Sequence, residues 1–329
     1  QREELEDVTL PVIELEFKQD EKESLKYHRK IKNAINKSRR PLLVLGAGAQ
    51  QYRNQVENFI YDLGIPTFLT WGAIDMLPHD HPLNCRDFGV TSQRAGPFAM
   101  QNADLIICLG TRLDTHETTK DWAPNAKKII IDIDKAELDK HKATHKFWTD
   151  IKHVPFERPA NDYSTWLSNI QTLRKKYPLP KTMPYAFMNK LSQYANEKDV
   201  IITDAGQTLT WTMQSWKIKR HQRLFSAFNH SPMGYALPAS FGASFTTESN
   251  IICITGDGGL QMNIQDLQTI VGYNKPIKIF VMDNGGYGMI KQTQSDWEEL
   301  RNDVACDPYT IPLKNVAKAH GIPYYEINN

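Results

Sequence analysis

The chain has 329 residues, 40% of them apolar and 23% charged, with a formal net charge of +1. The length exceeds one ordinary core and predicts two domains, and the composition is that of a soluble globular protein. A charge so near zero gives no reason to expect nucleic acid or an anionic membrane as partner. No apolar run approaches the roughly 20 residues of a membrane-spanning helix, and no signal peptide is expected.

The lead QREELEDVTLPVIELEF is charged, and residues 1–21 read as a linker that begins at Gln1 rather than Met. Residues 22–155 read as a central α/β domain. A helix over Ser24–Lys37 leads to a strand from Pro41 that ends in Gly46-Ala47-Gly48, and a second helix and a strand at Ile65–Leu69 follow. Apolar runs at Ala103–Thr111 and Lys128–Lys135 supply two more strands. Strands alternating with helical patterns predict a doubly wound parallel sheet.

GAGAQQ at 46–51 invites a dinucleotide reading, but Gln51 stands where the third glycine belongs. No acid follows at ribose-binding distance, so a tight strand-to-helix turn is the preferred reading. Asp132 and Asp134 could meet a ribose or cap the next helix, and Arg112 could contact phosphate or sit in a surface turn. Cys85, Cys108, Cys253 and Cys306 are far apart, two of them in apolar runs. Reduced cysteines of a cytoplasmic protein are expected, not disulfides or a metal cluster.

Prolines punctuate the aromatic stretch Phe147–Tyr185, and residues 156–182 read as a linker with one helix near Tyr163–Lys176. Residues 183–329 form a second domain: a helix from Tyr185, a strand Asp199–Gly206, and a helix opening at Gln207. Next come a short strand Arg223–Phe228 and the segment Asn229–Phe245, read as a helix with a small-residue face. The closing GIPYYEINN reads as a strand just formed, so this domain looks C-terminally incomplete and both chain ends suggest a piece of something longer.

Residues 251–288 carry the strongest chemical signal. The apolar strand Ile251–Thr255 runs into Gly256-Asp257-Gly258-Gly259, and a second, Ile277–Met282, runs into Asp283-Asn284-Gly285-Gly286. The separation is that of a strand–helix–strand crossover, which places Asp257 and Asn284 at the same end of adjacent parallel strands. Oxygen donors of that kind, beside glycines whose backbone admits phosphate, point to a Mg²⁺–diphosphate site.

This GDG-to-Asn pattern resembles the thiamin diphosphate signature. TDAGQTLTWTMQSW, FNHSPMGYALPASFGA and GDGGLQMNIQDLQTI, with RPLLVLGAGA, NADLIICLGTRLD and AKKIIIDIDKAEL earlier, resemble the acetolactate synthase-like family of thiamin diphosphate enzymes. The resemblance implies two doubly wound parallel-sheet domains, a Rossmann-like central domain and a thiamin diphosphate-binding domain.

By the same resemblance Asp257, Asn284 and the Gly286 carbonyl would bind Mg²⁺. Gly258, Gly259 and Gln207 would approach the diphosphate, and Met233, on spacing alone a core residue, would hold the cofactor bent. Thr208, Ser231, Gly256, Tyr287 and Gly288 fall beside the cofactor. The implied activity is decarboxylation of a 2-oxo acid such as pyruvate and acyl transfer to a carbonyl acceptor, in a homodimer or tetramer.

Departures from the family pattern limit that carry-over. The family's essential glutamate lies in a preceding N-terminal domain, so no catalytic residue is assigned here and the fragment is expected to be inactive alone. Thr293 stands where acetolactate synthases carry a tryptophan lining the acceptor pocket, and Asp283 replaces an asparagine. FAD binds the central domain of some members, but FGVTSQRAGPFAMQNAD matches the flavin-containing pattern poorly, and the preferred reading is no flavin. Simple decarboxylation, or a non-catalytic nucleotide- or FAD-binding module, are the alternatives.

Overall fold

A computed structural model describes residues 21–119, 121–154, 156–297 and 312–327. The first part runs α1 (Glu21–Lys37), β1 (Pro41–Leu45), α2 (Arg53–Leu63), β2 (Thr67–Leu69), α3 (Ala95–Asn102), β3 (Leu105–Leu109), β4 (Lys127–Asp132), α4 (Lys135–Lys140) and β5 (His145–Trp148). Its five strands pair in parallel in the order β2-β1-β3-β4-β5.

After α5 (Ser164–Lys176) and α6 (Met183–Tyr194) come β6 (Val200–Thr203), α7 (Gln207–Ser215), β7 (Arg223–Phe225), α8 (Ala236–Ala243), β8 (Ile251–Gly256), α9 (Asp257–Met262), α10 (Asp266–Gly272), β9 (Ile277–Met282), α11 (Gly288–Trp297) and α12 (Leu313–Ala319). This second sheet is also parallel, ordered β7-β6-β8-β9. The fold class read from the sequence, α/β with two doubly wound parallel sheets, is the one observed.

The apolar runs became central strands because both sheet faces are covered. In β1 and β3 every residue is buried. Leu43 and Leu45 pack on one face with Ile107 and Ile131, while Leu42 and Val44 pack on the other with Ile106 and Ile130. Burying each such side chain stabilises the fold by roughly 1.5–3 kcal/mol, and Leu43→Ala costs about 2–5 kcal/mol through the cavity it leaves.

The first core cluster continues into Ile201, Met213, Trp216 and Ile254, so the two sheets share apolar packing. Polar ties reinforce it: buried Asp75 pairs with Arg53 and Arg223 at 2.9 Å each, and Arg86 Nη2 donates to the Met213 carbonyl at 2.7 Å.

Four local expectations need correction. The helix α3 was not foreseen, because Pro97 in its first turn reads as a breaker although a first-turn proline costs no hydrogen bond. The strand β5, within the central α/β domain but not foreseen, is an edge strand with only Phe147 buried, so it shows no apolar run. Within Asn229–Phe245 only Ala236–Ala243 is helical, since Ser231 and Gly234 take positive φ and turn the chain first. No strand forms in Gly321–Ile327, where no described strand lies beside it to pair with. Residues 1–20 and Cys306 lie outside the described residues; Cys85, Cys108 and Cys253 are free and buried.

Candidate functional site

Gly256 pairs in register with Met282, so β8 and β9 release Asp257 and Asp283-Asn284 side by side at the carboxyl edge of the second sheet. Asp257 opens α9 and is 3% exposed. Its Oδ2 accepts the Gly286 N–H at 3.0 Å. Burial pushes the Asp257 carboxyl above its ordinary range; the N–H groups of Gly258 and Gly286 oppose the rise and Asp283 adds to it. Positive φ at Gly285 and Gly286 folds the β9 exit back over this carboxylate.

The Asn284 amide has two orientations. In one, Nδ2 lies 3.4 Å from Gln207 Oε1, and Oδ1 stands 3.2 Å from Asp257 Oδ1 and 2.7 Å from the Gly286 carbonyl. Three oxygens then gather with no proton between them, an arrangement that repels itself unless a cation sits among them. In the other, which the hydrogen bonds favour when no ion is present, Nδ2 donates to both oxygens. A carboxylate, an amide that can turn its oxygen inward and a backbone carbonyl are donors of the kind a hard cation takes.

Around this point the structure gathers Gln207, Gly258, Tyr287, Gly288 and Met233. A Cβ built on Gly258 would fall 2.6 Å from the Tyr287 ring and 3.3 Å from the Met233 methyl, and one on Gly288 would strike Gln207 and Asn284. Gly256 has open space around it, and Gly259 abuts Asp204. Two predicted residues face elsewhere. The Thr208 hydroxyl donates to the Ala205 carbonyl at 2.9 Å, and that of Ser231 to Phe228 at 3.2 Å, so both serve local turns.

Sequence reasoning passed over Asp204, a buried carboxylate that touches the backbone beside Met233 and the hydroxyl of Thr255. It also passed over a groove of about 840 Å³ running from Gln207 along α7 and α11 to the Val90–Arg94 loop. Exposed Thr293 lines this groove, its hydroxyl bonded to the Met289 carbonyl at 3.0 Å.

At the carboxyl edge of the first sheet lies a second crevice of about 440 Å³. The GAG segment there is a tight 3-10 turn at Ala47–Tyr52. The N–H of Gly46 donates to Leu109 and that of Gly48 to Gly110, both at 2.9 Å, so both amides are engaged by protein carbonyls. Asp134 caps α4, accepting from Ala136 at 2.8 Å, and Asp132 accepts the Asp134 N–H. Arg112 is exposed and faces Glu137 at 3.8 Å. Each has a local structural task. No described helix is long and apolar enough to cross a membrane.

Two parallel sheets, the second with a carboxylate, an amide and glycines gathered at its carboxyl edge, define an α/β architecture of two nucleotide-binding-like halves. Residues 28–155 match the central domain of the thiamine pyrophosphate enzymes, and residues 204–329 match their C-terminal TPP binding domain. The chain belongs to the thiamine pyrophosphate enzymes. It is 31% identical over 309 residues to the acetolactate synthase isozyme 1 large subunit of Escherichia coli (strain K12), covering 90% of this chain and 55% of that protein. It is 33% identical over 326 residues to the acetolactate synthase large subunit of Cyanidium caldarium, covering 91% and 55%. Against acetolactate synthase 1, chloroplastic, of Zea mays it is 30% identical over 285 residues, covering 80% and 44%. The chain thus spans about half the length of the curated relatives it matches.

Proposed function

We propose that this chain holds thiamin diphosphate through Mg²⁺ and serves, within a longer protein, a carboligase that decarboxylates a 2-oxo acid such as pyruvate and passes the acyl unit to a carbonyl acceptor. The observation that carries this reading is the meeting of the Asp257 carboxylate, the Asn284 side-chain amide and the Gly286 carbonyl where β8 and β9 end. These would give Mg²⁺ three of its oxygens, with Gln207, Gly258 and Gly259 toward the diphosphate. Met233 would brace the organic half against the glycine loop. When bound, the cofactor supplies an electron sink for the carbanion that loss of carbon dioxide leaves. The residues of this chain bind it, orient it and exclude water.

Relatives named as acetolactate synthases support the acyl-transfer class. Thr293 leaves the acceptor open, since a hydroxyl stands where those synthases carry an aromatic wall. With the family's glutamate lying outside this sequence, the fragment alone is expected to release no carbon dioxide from pyruvate. A cytoplasmic homodimer or tetramer completes the proposal.

Calorimetry of the full-length protein tests it: thiamin diphosphate should bind only with Mg²⁺, and Asp257→Ala should abolish that dependence. Affinity indifferent to both metal and mutation overturns the reading. Carbon dioxide release from a panel of 2-oxo acids then identifies the donor.

A further inference from the structure

Asp204 leaves the end of β6 and is 1% exposed. A carboxylate that deep is costly unless donors surround it. Here they come from three separate segments. Ala205 N–H donates to Oδ1 at 2.8 Å, and the Thr255 hydroxyl donates to Oδ2 at 2.8 Å. Gly234 N–H reaches both oxygens, at 2.9 and 3.1 Å.

Those segments are parts of the proposed cofactor site. Thr255 is the residue before the Gly256–Gly259 loop, and a Cβ on Gly259 would press to 2.6 Å from Asp204 Oδ2. Gly234 follows Met233 directly and takes φ 87°, and its carbonyl accepts from Asn263 Nδ2 at 2.8 Å. The peptide units flanking Gly234 are thus pinned from both sides, and the Met233 methyl comes to rest against Gly258.

We infer that Asp204 is a positioning residue: its carboxylate fixes the Met233 brace in register with the diphosphate loop, so that the organic half of the cofactor is held at a set distance from the metal. This rests on the function proposed above. Asp204 touches no ligand itself and acts through Met233. Asp257, Asn284 and Gly286, in contrast, would bind the Mg²⁺ that holds the diphosphate.

The test uses full-length protein and two probes, thiamin diphosphate and inorganic diphosphate, each with Mg²⁺. Asp204→Asn turns an amide N–H toward donors, and loss of a charge-assisted hydrogen bond predicts about tenfold or more weaker thiamin diphosphate binding. Inorganic diphosphate, which does not reach Met233, should keep its affinity within about threefold. Met233→Ala should show the same selective loss, and the double variant should be no worse than the stronger single one, because one residue acts through the other.

Equal weakening of both probes, additive losses, or no loss at all overturns the inference. Thr255→Val removes one donor while keeping the charge; it should repeat the selectivity at about threefold and decides the matter if Asp204→Asn does not fold. A wild-type protein that binds inorganic diphosphate but not thiamin diphosphate overturns the proposed function instead.

Discussion

The molecule contains two glycine-rich strand ends that look alike in sequence and differ in what they face. Gly46-Ala47-Gly48 leaves β1, and Gly256-Asp257-Gly258-Gly259 leaves β8, each at the carboxyl edge of a parallel sheet. At the first, a Cβ on Gly46 or Gly48 would meet the backbone of Gly110 and Thr111. Glycine there lets one loop lie on another. At the second, a Cβ on Gly258 would meet only the side chains of Tyr287 and Met233. Glycine there leaves room among groups that can grip a ligand. A glycine turn at a strand end marks a close approach, and only the opposing surface tells whether a ligand or the protein itself makes it.

The largest effect that probes this contrast is Asp257→Ala. With one oxygen of three removed, Mg²⁺-dependent cofactor affinity should fall about a hundredfold or more, measured by calorimetry. Thermal stability without ligands should fall by no more than about 1 kcal/mol at neutral pH, since the burial that raises this carboxyl's folded pKa makes its charged form oppose folding there. A large loss of stability would show that Asp257 serves the fold. The comparison is sharpened by Gly46→Ala beside Gly258→Ala. The first forces a methyl into rigid backbone and should cost about 1–3 kcal/mol in denaturant unfolding, with cofactor affinity unchanged. The second displaces the movable ends of Tyr287 and Met233, so affinity should fall while stability holds. The opposite pattern would break the contrast.

Physical range explains which of these features could be read in the sequence. Asp257 and Asn284 were legible because each ends an apolar strand, and adjacency of parallel strands follows from a single crossover. The central strands β1 and β3 were legible because burial on both faces writes a continuous apolar run. Edge strand β5 was not, since three of its four residues escape full burial. Asp204 was hidden for another reason. Its partners Gly234 and Thr255 lie 30 and 51 residues away, and nothing local in TDAGQ separates a buried tie from a surface turn. The engagement of Gly46 and Gly48 was equally invisible, because it depends on Leu109 and Gly110 at the end of the neighbouring strand.

A pH-dependent effect lies in the crevice at the edge of the first sheet and turns on Glu117. Burial, then the neighbouring Asp114, raises this carboxyl to about 8, although it accepts the Asp114 N–H at 3.2 Å. A raised folded pKa means the native state binds a proton that the unfolded chain releases. The associated stability is fully present below the unfolded carboxyl range near 4.5 and is lost as pH rises toward 8. Glu117→Gln, which cannot ionise, should therefore match wild type near pH 4.5 and exceed it by about 1–3 kcal/mol at pH 8 in denaturant unfolding. Asp257 is also raised by burial, yet there a cation among three oxygens would reward the charged form. In the crevice of the first sheet the carboxylates of Asp132 and Asp134 are already engaged by the backbone N–H groups of Asp134 and Ala136. Mg²⁺ should accordingly leave the Glu117-dependent slope unchanged. A slope that flattened with Mg²⁺ would make the crevice of the first sheet a cation site too and dissolve the distinction between the two strand ends.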